Sequence, residues 1–445
     1  MRTVLVTGLG GAGRTTMAAA TALAAAARVR GTSGTSAPCD RGTDTTGRRV
    51  LLLSPDALPA TDGGAPLTAV PTPVAEGLWA ARIDPAADFR AEFLSLQEHA
   101  GPALDLLGAR AFADEELTPL PGSDQFSLLR ALLGARSGDW DLVVADLPPL
   151  PETIALLALP EQLRRYLRRL LPPERQAARA LRPVLAQLAG VPMPARWLYE
   201  TAARRDEELA DLQRLLGSPG LTLRVVAEPG PGATDALRTA RTGLALHGLR
   251  VETLIANRVL PRHSADPFLA DLAARQEKTV GEWDACWSPG TALREVPHTG
   301  REPRTWAALA ELAPLVGDAT ATDSATDGTD ATDATDSATD GTDSATDATA
   351  TATDATDATA TGWPVEDRRA AEGILVWAIP LPGAVKGEVG LVRRGDELLL
   401  TVGRFRRIVP LPSALRRCAV TGAGLVDGTL RVRFTPDPGL WPRES

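Results

Sequence analysis

Val4 to Thr16 reads VLVTGLGGAGRTT, three apolar β-prone residues, a glycine-rich turn and two threonines that open an alanine-rich run from Met17 to Ala27. A short apolar run that ends in glycines and passes into a helix-forming segment is a strand turning into a helix. A nucleoside triphosphate needs backbone N–H groups converging on its phosphates, and glycines at a helix N-terminus supply them without Cβ clashes. Gly8, Gly10, Gly11 and Gly13, with Ala12 among them, have the composition of such a cradle, and Thr15, followed by Thr16, offers a hydroxyl to Mg²⁺. A loop of this kind carries lysine where Arg14 stands. A guanidinium keeps the charge but is planar and longer than an ammonium. The chain has two lysines, Lys278 and Lys386, against forty-five arginines, so composition accounts for part of Arg14 but not for Leu9. By itself the stretch also fits a tight βα turn or a dinucleotide site.

The surrounding sequence repeats the strand-to-helix pattern. Val50 to Leu53, Leu142 to Ala145, Leu223 to Val226 and Thr253 to Ala256 are short apolar runs that end at Ser54, Asp146, Glu228 and Asn257. Buried parallel strands read this way, with polar residues at their carboxyl ends. Pro160 to Leu171 and Pro194 to Leu216 have helical apolar spacing, as in Leu209, Leu212, Leu215 and Leu216. The expected fold is α/β, a mostly parallel sheet over residues 1–316 with a helical subdomain at 154–216.

Two composition breaks interrupt this pattern. Residues 31–47 (GTSGTSAPCDRGTDTTG) read as a flexible surface insertion. Residues 317–362 repeat ATD and TDGTD units, bury too little apolar surface to offset ordering entropy and read as a disordered, self-repelling linker. From Trp363 apolar β-prone residues return. Leu430, Val432 and Phe434 alternate with Arg431 and Arg433, giving one buried and one wet face, so residues 363–437 are expected to form an all-β sandwich.

Composition excludes several classes. The formal net charge is −9, but eleven aspartates lie between Asp318 and Asp357, and without them −9 becomes +2. The folded parts have no basic stripe, which argues against nucleic-acid binding. Cys39, Cys286 and Cys418 are odd in number and far apart, so neither a disulfide framework nor a zinc clip is indicated. The alanine-rich run is too short to span a bilayer and no charged leader precedes it, so the expectation is a cytoplasmic protein without an integral membrane span.

Residues 1–316 resemble the arsenical pump-driving (ArsA-type) and tail-anchored-protein-targeting ATPases. Their loop, G-K-G-G-x-G-K-T-T, is followed by Gly8 to Thr16 at every glycine and both threonines and at neither lysine. Further matches are Leu53 to Pro59 (LSPDALP), Gly77 to Ala80 with Ile83 to Pro85, Leu120 to Gly122, Asp146 to Glu161 (DLPPLPETIALLALPE), Leu244 to Arg250 and Asn257 to Pro261. Residues 363–437 resemble the small heat-shock (HSP20-like) domain that some bacterial relatives carry as a tail. The residues that carry this are Ile379 to Gly383, Asp396 to Val402, Arg406 to Pro412 and Asp427 to Val432.

The resemblance implies ATP and Mg²⁺ as ligands, with Gly8, Gly10, Gly11, Ala12, Gly13, Arg14, Thr15 and Thr16 around the phosphates. It implies Thr15 and Asp146 near the metal, Asp56 as the residue that positions the attacking water and Asn257 as the reader of adenine. Helix capping or a strand-end turn is the other use of Asp56 and Asp146. It also implies a homodimer that handles a client protein or apolar segment. Leu9 and Arg14 remove charge placement that phosphoryl transfer relies on, and Pro148 and Pro151 restrict φ where relatives move, so hydrolysis is expected to be weak or absent. The alternatives are a slow ATPase coupled to anion or membrane-protein traffic, and a non-enzymatic scaffold with a relic loop. Three convergent thiolates for arsenite are lacking, and Met1, Met17 and Met193 are too few for a methionine groove.

Overall fold

The computed structural model describes residues 1–27, 48–61, 63–106, 110–170, 194–288, 290–317, 362–437 and 439. The expected insertion at 31–47, nearly all of the expected linker at 317–362, and residues 171–193 of the helical subdomain lie outside the described residues. The chain divides into two units, Met1–Ala319 and Thr320–Ser445.

The first unit is built on eight strands, β1 (Arg2–Gly8), β2 (Val50–Ser54), β3 (Thr72–Ala75), β4 (Leu78–Arg82), β5 (Leu142–Pro149), β6 (Leu221–Ala227), β7 (Val251–Val259) and β8 (Ala292–Pro297). They lie in the order β3-β4-β2-β5-β1-β6-β7-β8. All pairs are parallel except β3 with β4. The five runs of the sequence fall in the five central strands, and apart from the buried Arg224 and Thr253 they are apolar because helices cover both faces of the sheet. The edge strands have no such run. In β8, ALREVP, only Val296 is fully buried.

Helix α1 (Arg14–Ala27) leaves β1 through the glycine turn and packs on β1, β2 and β5. Its small side chains, Ala18, Ala19, Ala20, Ala22 and Ala25, let it approach the sheet closely, and all are buried. Among helices α2 (Pro85–Leu106), α3 (Ser123–Ala135), α4 (Leu150–Leu170) and α5 (Pro194–Leu216), α2 packs against α3, α4 against α5 and α3 against α5. The sequence places the start of α4 at Pro160, but the helix begins at Leu150 and runs through that proline. Pro151 falls in the first turn, where a missing N–H leaves no bond unmade, and Leu150, Ile154 and Leu157 bury one face.

Helices α6 (Ala233–Leu246), α7 (Pro267–Trp287) and α8 (Trp306–Ala310) complete the unit. Beyond α8 the chain turns through Ala313–Leu315 and packs back on α1. It is held there by Arg224 of β6, whose guanidinium is fully buried. Arg224 donates to Val316 O at 2.9 Å and to Glu252 Oε1 at 2.9 and 3.1 Å. Arg2 and Thr222 satisfy the other oxygen of Glu252, and these charges hold its carboxyl below the usual range against the opposing effect of burial.

In the second unit, β9 (Val365–Arg368), β10 (Ile374–Pro380), β14 (Cys418–Val426) and β15 (Thr429–Pro436) form one antiparallel sheet, in the order β14-β15-β10-β9. A second antiparallel sheet holds β11 (Val389–Arg394), β12 (Glu397–Val402) and β13 (Phe405–Pro410). The all-β expectation is met, with β9 and the glycine-containing β14 added. Asp427 and Gly428 both take positive φ, the requirement of a two-residue hairpin, and join β14 to β15.

Candidate nucleotide site

The residues singled out in the sequence meet at the carboxyl ends of β1, β2, β5 and β7, where ligands bind in open α/β sheets. Register brings them there, because Val6 pairs with Asp146 and Leu53 with Ala145. The glycine turn is shaped by close approach. A Cβ on Gly8 would lie 2.1 Å from Val226 O, and one on Gly13, at φ +89°, would lie 2.5 Å from Asn257 Nδ2. Gly10 and Gly11 face open space. The turn is thus fixed on its sheet side and open on the other.

Thr15 stands on the first turn of α1. Its hydroxyl lies 2.7 Å from Asp146 Oδ2 and 3.1 Å from Asp56 Oδ2. Ser54, at the end of β2, donates to the same Asp146 oxygen at 2.9 Å. Asp146 is fully buried, and its other oxygen, Oδ1, has no hydrogen-bond partner among the described residues. Burial pushes its carboxyl up to about 6, against the hydrogen bonds from Thr15 and Ser54 and the charge of Arg14, which pull it down. A buried carboxylate oxygen without a donor calls for a cation or a proton. Asp146 and Thr15 present hard oxygen atoms of the kind that Mg²⁺ takes, and in a site of that kind phosphates and water would complete the shell. No group of three or more His, Cys, Asp or Glu residues is placed to hold a metal among the described residues.

Arg14 turns toward this carboxylate end. Its guanidinium donates to Leu147 O and lies 4.0 Å from Asp56 Oδ2, with the side chain 17% exposed. Leu9 turns the other way and packs against the hydrophobic core beneath the loop. After Asp146 there is no free loop. Strand β5 continues to Pro149, α4 begins at the next residue, and Pro148 O accepts from both Thr7 Oγ1 at 2.8 Å and Thr153 Oγ1 at 2.7 Å. Asn257 is buried at the end of β7 and spends its Nδ2 on Ala12 O at 2.7 Å. Its amide thereby has one face on the loop. A cavity of about 410 Å³ adjoins it, lined by Gly13, Thr16, Asn257, Arg258, His298 and Leu312 among others.

Two site residues were not singled out by the sequence reading. Ser54 is an ordinary strand-end serine until its register beside Asp146 is known. Arg258 sits within the Asn257 to Pro261 match but takes a role only through backbone geometry. A second, larger cavity of about 750 Å³ lies between α2, α3, α4 and α5, lined by Phe89, Phe93, Phe126, Leu163, Leu167 and Leu209 among others. Glu92, Arg130, Arg205 and Glu208 form ion pairs at its wall. None of the described helices is long and apolar enough to cross a membrane.

Comparison with known proteins finds a family match in each unit. A family profile described as Anion-transporting ATPase matches residues 1–317. A second, described as the HSP20-like domain found in that family, matches residues 372–434. An uncharacterized protein of Streptomyces coelicolor is 51% identical over 100% of both chains. A protein of Mycobacterium tuberculosis is 30% identical over 99% of this chain and 97% of its own. A protein of Aquifex aeolicus, provisionally named an arsenical pump-driving ATPase, is 25% identical over 69% of this chain and 71% of its own. With the glycine loop, the strand-end carboxylates and a profile match over 1–317, the chain belongs to the anion-transporting ATPase family.

Proposed function

We propose that the first unit binds Mg-ATP at its glycine loop, hydrolyses it weakly or not at all, and handles a client protein or apolar segment. The observation that carries the nucleotide reading is Asp146 Oδ1, a buried carboxylate oxygen left without a donor beside the Thr15 hydroxyl. In this reading the amides of Gly10 to Thr16 other than that of Ala12, which donates to Leu9 O at 3.2 Å, bind the phosphates, Thr15 and Asp146 hold Mg²⁺, and Asn257, its Nδ2 already engaged, offers Oδ1 to the base. The bound metal would neutralise phosphate charge.

Three features support weak turnover. Phosphoryl transfer depends on charge placed around the γ-phosphate and on groups that move into line. Leu9 lies against the core instead of offering a charge across a dimer, and the homodimer is part of this proposal. The Arg14 guanidinium is engaged by Leu147 O, and the stretch after Asp146 is held by two threonine hydroxyls and passes straight into α4. The cavity among α2 to α5 has the aromatic and leucine lining that suits an apolar segment of a client.

The test is ATP turnover by wild type and by the Leu9→Lys/Arg14→Lys double variant. The proposal expects little turnover from wild type and a gain of at least about tenfold in the double variant, from the charge it restores. Turnover by wild type equal to that of the double variant would contradict it and favour the second reading, a slow ATPase. That reading draws on the approach of Arg14 to Asp56, which keeps a cation at the carboxylate end of the cradle.

A further inference from the structure

Two consecutive residues at the end of β7 hold two consecutive carbonyls of the glycine loop. Asn257 Nδ2 donates to Ala12 O at 2.7 Å, and Arg258 Nη1 donates to Gly11 O at 3.1 Å. The second contact comes from an unusual residue. Arg258 has φ +59°, one of two described non-glycine residues with positive φ, and the other, Asp427, sits in a hairpin turn that requires it. A left-handed arginine is disfavoured by its own Cβ, and such residues persist where the surroundings fix them, often at functional sites. The same Nη1 also donates to Glu228 Oε2 at 3.1 Å, at the start of the Glu228 to Gly232 loop beyond β6. The guanidinium therefore ties the end of β7 to two loops, those after β1 and β6.

Peptide geometry gives this a consequence. A peptide's C=O and N–H point in opposite directions, so pinning a carbonyl fixes where the next amide points. With Gly11 O and Ala12 O drawn toward β7, the N–H of Ala12 is turned back to Leu9 O, to which it donates at 3.2 Å, and the N–H of Gly13 is turned away from β7. Gly11, at φ +76° and facing open space, has no side chain to hold that orientation itself. Arg258 and Asn257 supply from outside the rigidity that glycine cannot.

We propose that Arg258 is a positioning residue whose left-handed backbone and guanidinium clamp set the peptide orientation of the phosphate loop. The clamp is a property of the protein without ligand. Only its use in binding rests on the nucleotide reading above.

The test is amide hydrogen exchange of the full chain without nucleotide, for wild type, Arg258→Gly and Glu228→Gln. Glycine accepts the left-handed backbone, so Arg258→Gly removes the guanidinium without new strain. Arg258 and Glu228 are both partly exposed, so the thermal midpoint is expected to stay within about 3 °C of wild type. Peptides covering residues 8–16 are expected to exchange about tenfold faster in Arg258→Gly and by a smaller factor in Glu228→Gln, with the rest of the sheet unchanged. Wild-type exchange at 8–16 in both variants would overturn the inference. Mg-ATP titration of the same proteins gives the second readout, an affinity about tenfold weaker in Arg258→Gly. Wild-type affinity in that variant would overturn the role in binding. If wild type itself fails to bind while the loop still loosens in Arg258→Gly, the clamp is supported and the nucleotide reading is what falls.

Discussion

The hydroxyl of Thr15 lies 2.7 Å from Asp146 Oδ2, joining the first turn of α1 to the end of β5 across 131 positions of sequence. Everything chemical about the first unit is arranged around that bond. Ser54 and Asp56 approach it from the end of β2 and Arg14 from the start of α1, while the second oxygen of Asp146 has no hydrogen-bond partner among the described residues.

Asp146 makes the stability of the metal-free protein depend on pH. Its carboxyl titrates at about 6 in the folded chain and near its ordinary value of 3.8 when unfolded. Between those values the folded state binds more protons, so stability falls as pH rises through the window and levels off above it. Replacement by Asn removes the buried charge. In EDTA, Asp146→Asn is expected to be about 2 kcal/mol more stable than wild type at pH 7 and no more stable at pH 4, as read by denaturant unfolding. A constant difference across this range would contradict the burial argument.

Gly8 is a packing requirement as well as part of the cradle. A Cβ there would sit 2.1 Å from Val226 O, a backbone atom with nowhere to go inside a hydrogen-bonded sheet. Gly8→Ala is expected to lower stability by about 2–3 kcal/mol, measured by thermal or denaturant unfolding. Gly10→Ala, where the space is open, is expected to change it little.

Arg224 carries the end of the first unit. Arg224→Met leaves Glu252 with Arg2 as its one charged partner beside the Thr222 hydroxyl and takes the donor from Val316 O, and is expected to destabilise by about 3 kcal/mol. Adding Glu252→Gln is expected to recover part of that loss, because the carboxylate left behind accounts for much of it. Full additivity of the two substitutions in denaturant unfolding would show that the pair does not act as a unit.

Much of this was legible in the sequence, for identifiable reasons. The central strands show as apolar runs because both their faces are buried, and the glycine turn shows because its close approaches admit no side chain. Asp146 and Asp56 stand out only through the resemblance of their segments to the family's. What stayed hidden depends on long-range contact. The edge strand β8 buries one residue fully, α4 begins ten residues ahead of its expected start because a first-turn proline breaks nothing, and Ser54 gains its role only beside Asp146. The positive φ of Arg258 leaves no mark in composition or spacing.

The central claim is that residues 8–16 still form a working nucleotide cradle. The direct measurement is calorimetric titration of wild type and Gly13→Asp with Mg-ATP. The substitution puts a carboxylate where even a Cβ would lie 2.5 Å from Asn257 Nδ2, on a backbone with φ +89°. Saturable binding by wild type that is lost in Gly13→Asp is the predicted result. No binding by wild type, or equal binding by both, would contradict the account.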